Sequence, residues 1–291
     1  MSRVSFSFFS WQRLAGQRRL FLLCLLLFVV SAFLSFGAFF PADVVQQRLV
    51  HEVSQQTNLE MKGRNAKMLF PLGVEFDLTV YSAVPNLTDL ELTQLQVSPA
   101  WSSLFSKDQA VNLSGAFAGG KIDVDVSRSG RIDLNVEDVA LAVLQQSEMP
   151  YRVIGQLTGQ LDGENISGNM NGRGFFSFQL KDARILGLEK IGLPDNFFAG
   201  ALWLEGKFDQ QRFNLEKVVL TGGVLELSGG GNILIGETSK KTRLNLNIRL
   251  HPTTTTPDSI RDLISLAGIR PTTDGSYLLR VGGTLAKPII R

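Results

Sequence analysis

The sequence predicts a mainly β protein, a curved antiparallel sheet with a few short helices, preceded by one N-terminal transmembrane helix. Three observations predict it. From about residue 58 the chain alternates apolar and polar residues, glycines interrupt the apolar stripes at recurring places, and residues 20–40 carry no charge. Alternation with one wet face marks antiparallel sheet, because strands buried on both faces read as continuous apolar runs.

The charge-free run is "LFLLCLLLFVVSAFLSFGAFF", twenty-one residues. As a helix it is about 30 Å long, enough to cross the hydrocarbon core of a bilayer. Arg3, Arg13, Arg18 and Arg19 precede it, and the first acid, Asp43, follows it. Positive charge stays on the cytoplasmic side. The reading is therefore a cytoplasmic tail over 1–19, an anchor in the lipid bilayer over 20–40, and a body outside the cytoplasm. A cleaved signal peptide is the competing reading, since Ser35 and Gly37 are small enough for a cleavage site. Its apolar region, however, usually runs only about 7–15 residues. The single cysteine, Cys24, lies in this run, so no intramolecular disulfide staples the body and its core must hold it.

After Pro41, "PADVVQQRLVHEVSQQTNL" sets Val45, Leu49 and Val53 on one helical face, with Gln46, Gln47 and Gln55 elsewhere. This spacing predicts about four turns of helix. Residues 41–57 form a stalk that continues the transmembrane axis or packs on the body.

Residues 58–291 form the β domain. "KIDVDV" aligns Ile122, Val124 and Val126 against Asp123 and Asp125, and "RIDLNV" aligns Ile132, Leu134 and Val136. The turn "SRSG" joins them into a hairpin. "FSFQL" and "RLNLNIRL" alternate in the same way. "LSGAF", "LTGQL", "LEGKF" and "VGGTL" share one pattern, apolar, any residue, glycine, any residue, apolar. It places Gly115, Gly159, Gly206 and Gly283 inside apolar stripes, where a missing side chain permits a bulge, sharper bending or close approach of another backbone. Curved sheets use glycine this way. Helices are few. "TPDSIRDLISLAG" predicts one capped by Thr256, with Pro257 in its first turn and a stop at Gly268. A shorter one is predicted from Asp138 to Gln146 with the aspartate as cap, and another turn around "PAWSSLF".

No motif for catalysis or cofactor binding emerges. "LTGGVLELSGGGNILIGE" holds six glycines, but a P-loop needs lysine after the second glycine. Gly231 and Gly236 have the spacing, and Glu237 stands in the lysine's place. No helix follows to hold an anion, so the glycines are read as a structural turn and bulge. His51 and His251 lie far apart with no cysteine or second histidine nearby, which argues against zinc. Asp123, Asp125 and Asp133 sit on wet strand faces, where solubility is their ordinary use. Removing the four arginines of residues 1–40 leaves 25 basic against 27 acidic residues. That near-neutral body lacks the basic face of a nucleic-acid binder. The expectation is no enzyme, no cofactor and no metal. Phe175, Phe176, Phe178, Phe197, Phe198, Trp203 and Phe213 supply a large apolar load. By default the sheet folds on itself into a closed core, and otherwise it leaves a groove for a lipid chain or protein partner. The segment "NFF", Asn196, Phe197 and Phe198, reads as an exposed turn and a candidate interaction surface.

The order of these elements resembles a known family. An anchor leads into "FFPADVVQQRLVHEVSQQTNLEM", glycine-rich strands follow, and the chain closes with "IRDLISLAGIRPTTDGSYLLRVGGTLAKPIIR". This is similar to protein N of the bacterial type II secretion system and, more distantly, to AsmA-like periplasmic β proteins. The C-terminal helix, the "DGSY" turn and the "GGTLAKP" ending, with Asp274, Gly275, Gly283 and Pro288, carry the likeness most specifically. The resemblance implies an inner-membrane protein of a Gram-negative bacterium with a periplasmic body. That body would be an auxiliary part of the machine that exports folded proteins, contacting its other subunits. It carries no catalytic residues over. The AsmA-like group implies a taco-shaped sheet with an apolar interior, sometimes linked to lipid traffic.

Overall fold

The computed structural model describes residues 24–28, 31, 35, 40–57, 60–70, 73–81, 89–100, 108–144, 152–165, 172–191, 196–236, 238, 240–266 and 269–290. Most of the anchor, residues 20–40, lies outside them, as do residues 101–107 and the stop at Gly268. Among the described residues no helix is long and apolar enough to cross a membrane.

Residues 24–28, 31 and 35 are helical, and the helix α1 (Ala42–Thr57) leads directly into the sheet. The strands then run β1 (Glu60–Leu69), β2 (Gly73–Tyr81), β3 (Leu90–Pro99), β4 (Ala110–Phe117), β5 (Gly120–Ser127), β6 (Ile132–Ala140) and β7 (Arg152–Glu164). They continue as β8 (Arg173–Leu186), β9 (Asn196–Asp209), β10 (Arg212–Gly222), β11 (Leu225–Leu234), β12 (Arg243–Pro252), β13 (Tyr277–Thr284) and β14 (Lys287–Ile290). A second helix, α2 (Asp258–Leu266), joins β12 to β13.

All fourteen strands pair antiparallel in chain order within a single sheet. β1 and β14 each pair on one side only, so the sheet is open. The expected closure into a sealed core does not occur. The edges are protected: β1 carries Lys62, Arg64, Lys67 and a bulge, and β14 is four residues long and contains Pro288.

The predicted hairpin forms in the expected register, with Ile122 opposite Val136, Val124 opposite Leu134 and Val126 opposite Ile132. Directly opposed residues share a face, which lets the apolar stripe be followed from strand to strand. One row runs Gly115, Ile122, Val136, Gly159, Phe178, Leu204, Val218, Gly229, Ile248, Leu279. The apolar residues therefore form one continuous face.

Bulges break the register at several strands. Asn65 in β1, Gln94 in β3, Asp138 in β6 and Asp182 in β8 take φ of 58°, 52°, 50° and 51° at these breaks. Side-chain hydrogen bonds brace three of these bulges. Asp77 of β2 accepts from the Gln94 N–H at 3.0 Å and from the Asn65 amide at 2.7 Å, tying two bulges together across one strand. These bonds, Gln94's first, hold the Asp77 carboxyl below the usual carboxylate range. Thr158 of β7 does the same for Asp138, accepting from its N–H and donating to its carboxylate. The predicted helix from Asp138 is therefore absent. Asp138 is a strand bulge, and only a 3₁₀ turn, Leu141–Leu144, follows. Glu137 and Asp138 oppose the single Thr158 of β7, and this one extra residue keeps both Val136 and Val139 on the apolar face at a spacing that mimics a helix.

α1 packs on the sheet. Ala42 shares a buried cluster with Val74, Phe76 and Leu95, joined by Val45 and Val50. Gln46, read as lying off this face, is buried instead, its amide lying against Gly63 of β1, where a Cβ would collide with it. At the other end α2 lays Ile260 and Ile264 on Leu180, Ala183, Phe197 and Ala199. Thr256 does not cap α2. Its hydroxyl takes the Thr253 N–H at 2.7 Å and bonds the Val224 carbonyl, pinning the β12–α2 loop to the β10–β11 turn.

Candidate docking face

Each repeat glycine sits on the apolar face. Gly159 lies opposite Phe178, and Gly206 opposite Phe176. A Cβ on either would strike the facing phenylalanine ring and a backbone carbonyl. Gly174 and Phe208 form a third such pair. The glycines thus make room for rings that lie across the neighbouring strand. Laid flat, the rings meet: Phe176 is 6.2 Å from Phe178 and 6.0 Å from Phe213, and Phe208 is 5.5 Å from Phe213. Such contacts contribute about 0.5–1.5 kcal/mol each beyond area. Gly115 touches Leu95 more loosely, and Gly283, at φ 87°, serves the β13–β14 hairpin opposite Pro288. Gly115 and Gly159 share one row, Gly206 lies in the next, and Gly283 stands at the β13–β14 hairpin, so the four do not converge on one point.

The triple glycine is not a turn. Gly229, Gly230 and Gly231 stand mid-strand in β11, facing Ile248, Asn247 and Leu246, and across from them β10 bulges between Leu215 and Val218. A Cβ on Gly229 or Gly231 would meet the β12 backbone. The bulge is as expected, and the turn is replaced by strand.

Among the described residues, fourteen apolar side chains are buried, in or beside three clusters along the sheet. Much of the stripe lies outside these clusters. Leu161, Leu204, Leu215, Leu246 and Ile248, on β7, β9, β10 and β12, are only half-buried, whereas α1 covers β2–β3 and α2 covers the end of β8–β9 nearer the β8–β9 connection. Full burial of such a side chain contributes about 1.5–3 kcal/mol, so an occupant completing it recovers roughly 1 kcal/mol at each. This half-covered stretch of β7–β12 is the candidate docking face.

The segment Asn196–Phe198 opens β9 rather than forming a turn. Phe197 is buried in the α2 cluster, whereas Phe198 reaches the surface under the Arg184 guanidinium, 5.7 Å from its ring centroid. Only Phe198 of the pair is available to a partner.

Asp274 and Gly275, prominent in the resemblance, prove to be folding devices. The Asp274 carboxylate accepts the Thr272 hydroxyl, the Ser276 hydroxyl at 2.7 Å and the Ser276 N–H at 3.1 Å, while Gly275 takes φ 78°. The turn aims the chain into β13. Those hydrogen bonds, Thr272's first, hold the Asp274 carboxyl far below its ordinary 3.8. A depressed carboxylate stabilises fully above its unfolded pKa, and that contribution is lost as pH falls toward the folded one. Urea midpoints followed from about pH 5 downward should therefore fall more steeply with acid for the native chain than for Asp274→Asn. Parallel curves contradict the assignment.

His51 bonds Gln55 on α1 and His251 stands on β12 opposite Glu226. Among the described residues no group of three or more His, Cys, Asp or Glu side chains is placed to hold a metal ion. Lys207–Glu216 at 2.8 Å and Lys217–Glu205 at 3.3 Å are exposed ion pairs, worth under about 1 kcal/mol each. Comparison with protein-family models, curated proteins and solved structures finds no match.

Proposed function

We propose that this chain is an auxiliary, non-enzymatic inner-membrane component of a type II secretion system. Its β body contacts other subunits on the periplasmic side and so aids export of folded proteins across the outer membrane. The observation that carries this is the single open sheet with a half-covered apolar face, a geometry suited to docking chains. Residues 20–40 tether it to the bilayer. The sheet is open rather than curled into a taco; its bulges bend single strands locally, a device that the curved sheet of the AsmA-like group would also use. Deleting the chain is expected to lower the amount of exported enzyme in the medium while it accumulates in the periplasm. Unchanged partitioning contradicts the proposal.

A second reading, an AsmA-like module that holds lipid chains, is favoured by one specific feature. The half-covered stretch is aliphatic at Leu161, Leu204, Leu215 and Leu246, which suits an acyl chain as well as a protein segment.

A further inference from the structure

The strands place their turns at two ends. At the odd end, β1 turns into β2, β3 into β4, and so on to β13 and β14. At the even end lie the connections after even-numbered strands, including α2.

The two ends differ in charge. At the odd end of β9–β14, residues 209–212, 235–243 and 284–287, the sequence carries Arg212, Lys240, Lys241, Arg243 and Lys287 against Asp209 and Glu237. At the even end of β10–β13, residues 222–226 and 251–277, it carries Arg261 and Arg270 against Glu226, Asp258, Asp262 and Asp274. Exposed apolar side chains gather at the odd end too. Phe70 in the β1–β2 turn is 72% exposed and Leu285 in the β13–β14 turn 55%, at the two lateral edges of this end, with Leu234 at the end of β11. The even end shows Phe198 and Leu278.

α1 says which end faces the anchor. β1 starts at the even end, directly after α1, and Ala42 at the start of α1 clusters with Val74, which pairs with Met68 near the odd end. α1 therefore runs from the odd end to the even end, and the chain before Ala42 arrives at the odd end. Only Pro41 separates Phe40 from Ala42, a reach of at most about 7 Å.

We infer that the odd end of the sheet rests on the bilayer surface, its basic groups against anionic headgroups and Phe70 and Leu285 in the interfacial layer. This rests on the reading of residues 20–40 as an anchor. Near an anionic leaflet each Lys or Arg strengthens association by about fivefold, and the effect reaches roughly one Debye length, about 8 Å in physiological salt. The basic groups on β9–β14 lie eight or more strands, about 40 Å, across the sheet from α1, so the whole odd end must lie along the bilayer.

The test uses the full chain, Cys24→Ser, in vesicles of phosphatidylethanolamine with phosphatidylglycerol, carrying one fluorophore at Leu285→Cys or at Thr254→Cys on the even end. Nitroxide-labelled lipid should quench the Leu285 site several-fold more than the Thr254 site. The triple variant Lys240→Glu, Arg243→Glu, Lys287→Glu, its fold checked by circular dichroism, should lose most of that quenching. Equal quenching at both sites, or more at Thr254, overturns the inference. So does a triple variant, folded as the parent, that quenches as the parent does. Flotation of the vesicles separates the two readings: a chain that floats without quenching at Leu285 is anchored but does not rest on this end. A chain stripped from the vesicles by alkaline carbonate has no anchor, and the inference falls with it.

Discussion

Gly206→Val destabilises the protein by about 3 kcal/mol, a fall in Tm of roughly 6–12 °C. Gly206 is buried and faces Phe176 on one side and Leu215 on the other. A Cβ there would meet the Asn214 carbonyl and stand 2.7 Å from the Phe176 ring edge. The ring can swing, but the carbonyl belongs to β10 just before its bulge and moves only if that pairing opens. The cost is steric, because Gly206 has an ordinary backbone conformation. Gly119 gives the opposite case: its φ is 80° and nothing lies near its missing Cβ. Gly119→Ala should cost only about 1–2 kcal/mol, through the left-handed backbone. Thermal unfolding of both variants measures the contrast, and a Gly206→Val protein as stable as the parent contradicts the ring-over-glycine packing.

Phe176→Ala is expected to cost about 3–5 kcal/mol. The ring is 6% exposed and links Phe178 to Phe213, so its loss leaves a cavity where no helix presses down to fill it. Its neighbour Phe175 points to the other face and is 43% exposed. Phe175→Ser should change stability by less than about 0.5 kcal/mol. Urea unfolding separates the two. Equal losses would mean that the faces had been assigned the wrong way round.

These two residues also show how far the sequence could be read. The strands were legible because one face is wet, so Ile122, Val124 and Val126 alternate cleanly with acids and the hairpin register follows. The glycine pattern pointed to the apolar face, and the facing rings explain why glycine is needed there. Bulges were hidden. Asn65, Gln94 and Asp182 adopt positive φ without being glycine, and at Asp138 the inserted residue shifted the period enough to imitate a helix. Gln46 was assigned by polarity, whereas a glycine on β1 makes room to bury it. Sheet closure was not legible at all. A stripe of leucines has the same pattern whether it meets another strand, a ligand or a partner, because alternation records which side is apolar and not what covers it.

Photo-crosslinking in cells tests the central claim most directly. A photoreactive residue is placed at Leu215 or Leu246, on the apolar face, and at Asn214 or Asn245, on the polar one. The account predicts adducts to secretion subunits from the leucine positions and few from the asparagines. Phospholipid adducts from the same leucines would move the assignment to the lipid reading. Silence at Leu215 and Leu246, or equal capture from both faces, would contradict the open apolar face as the working surface.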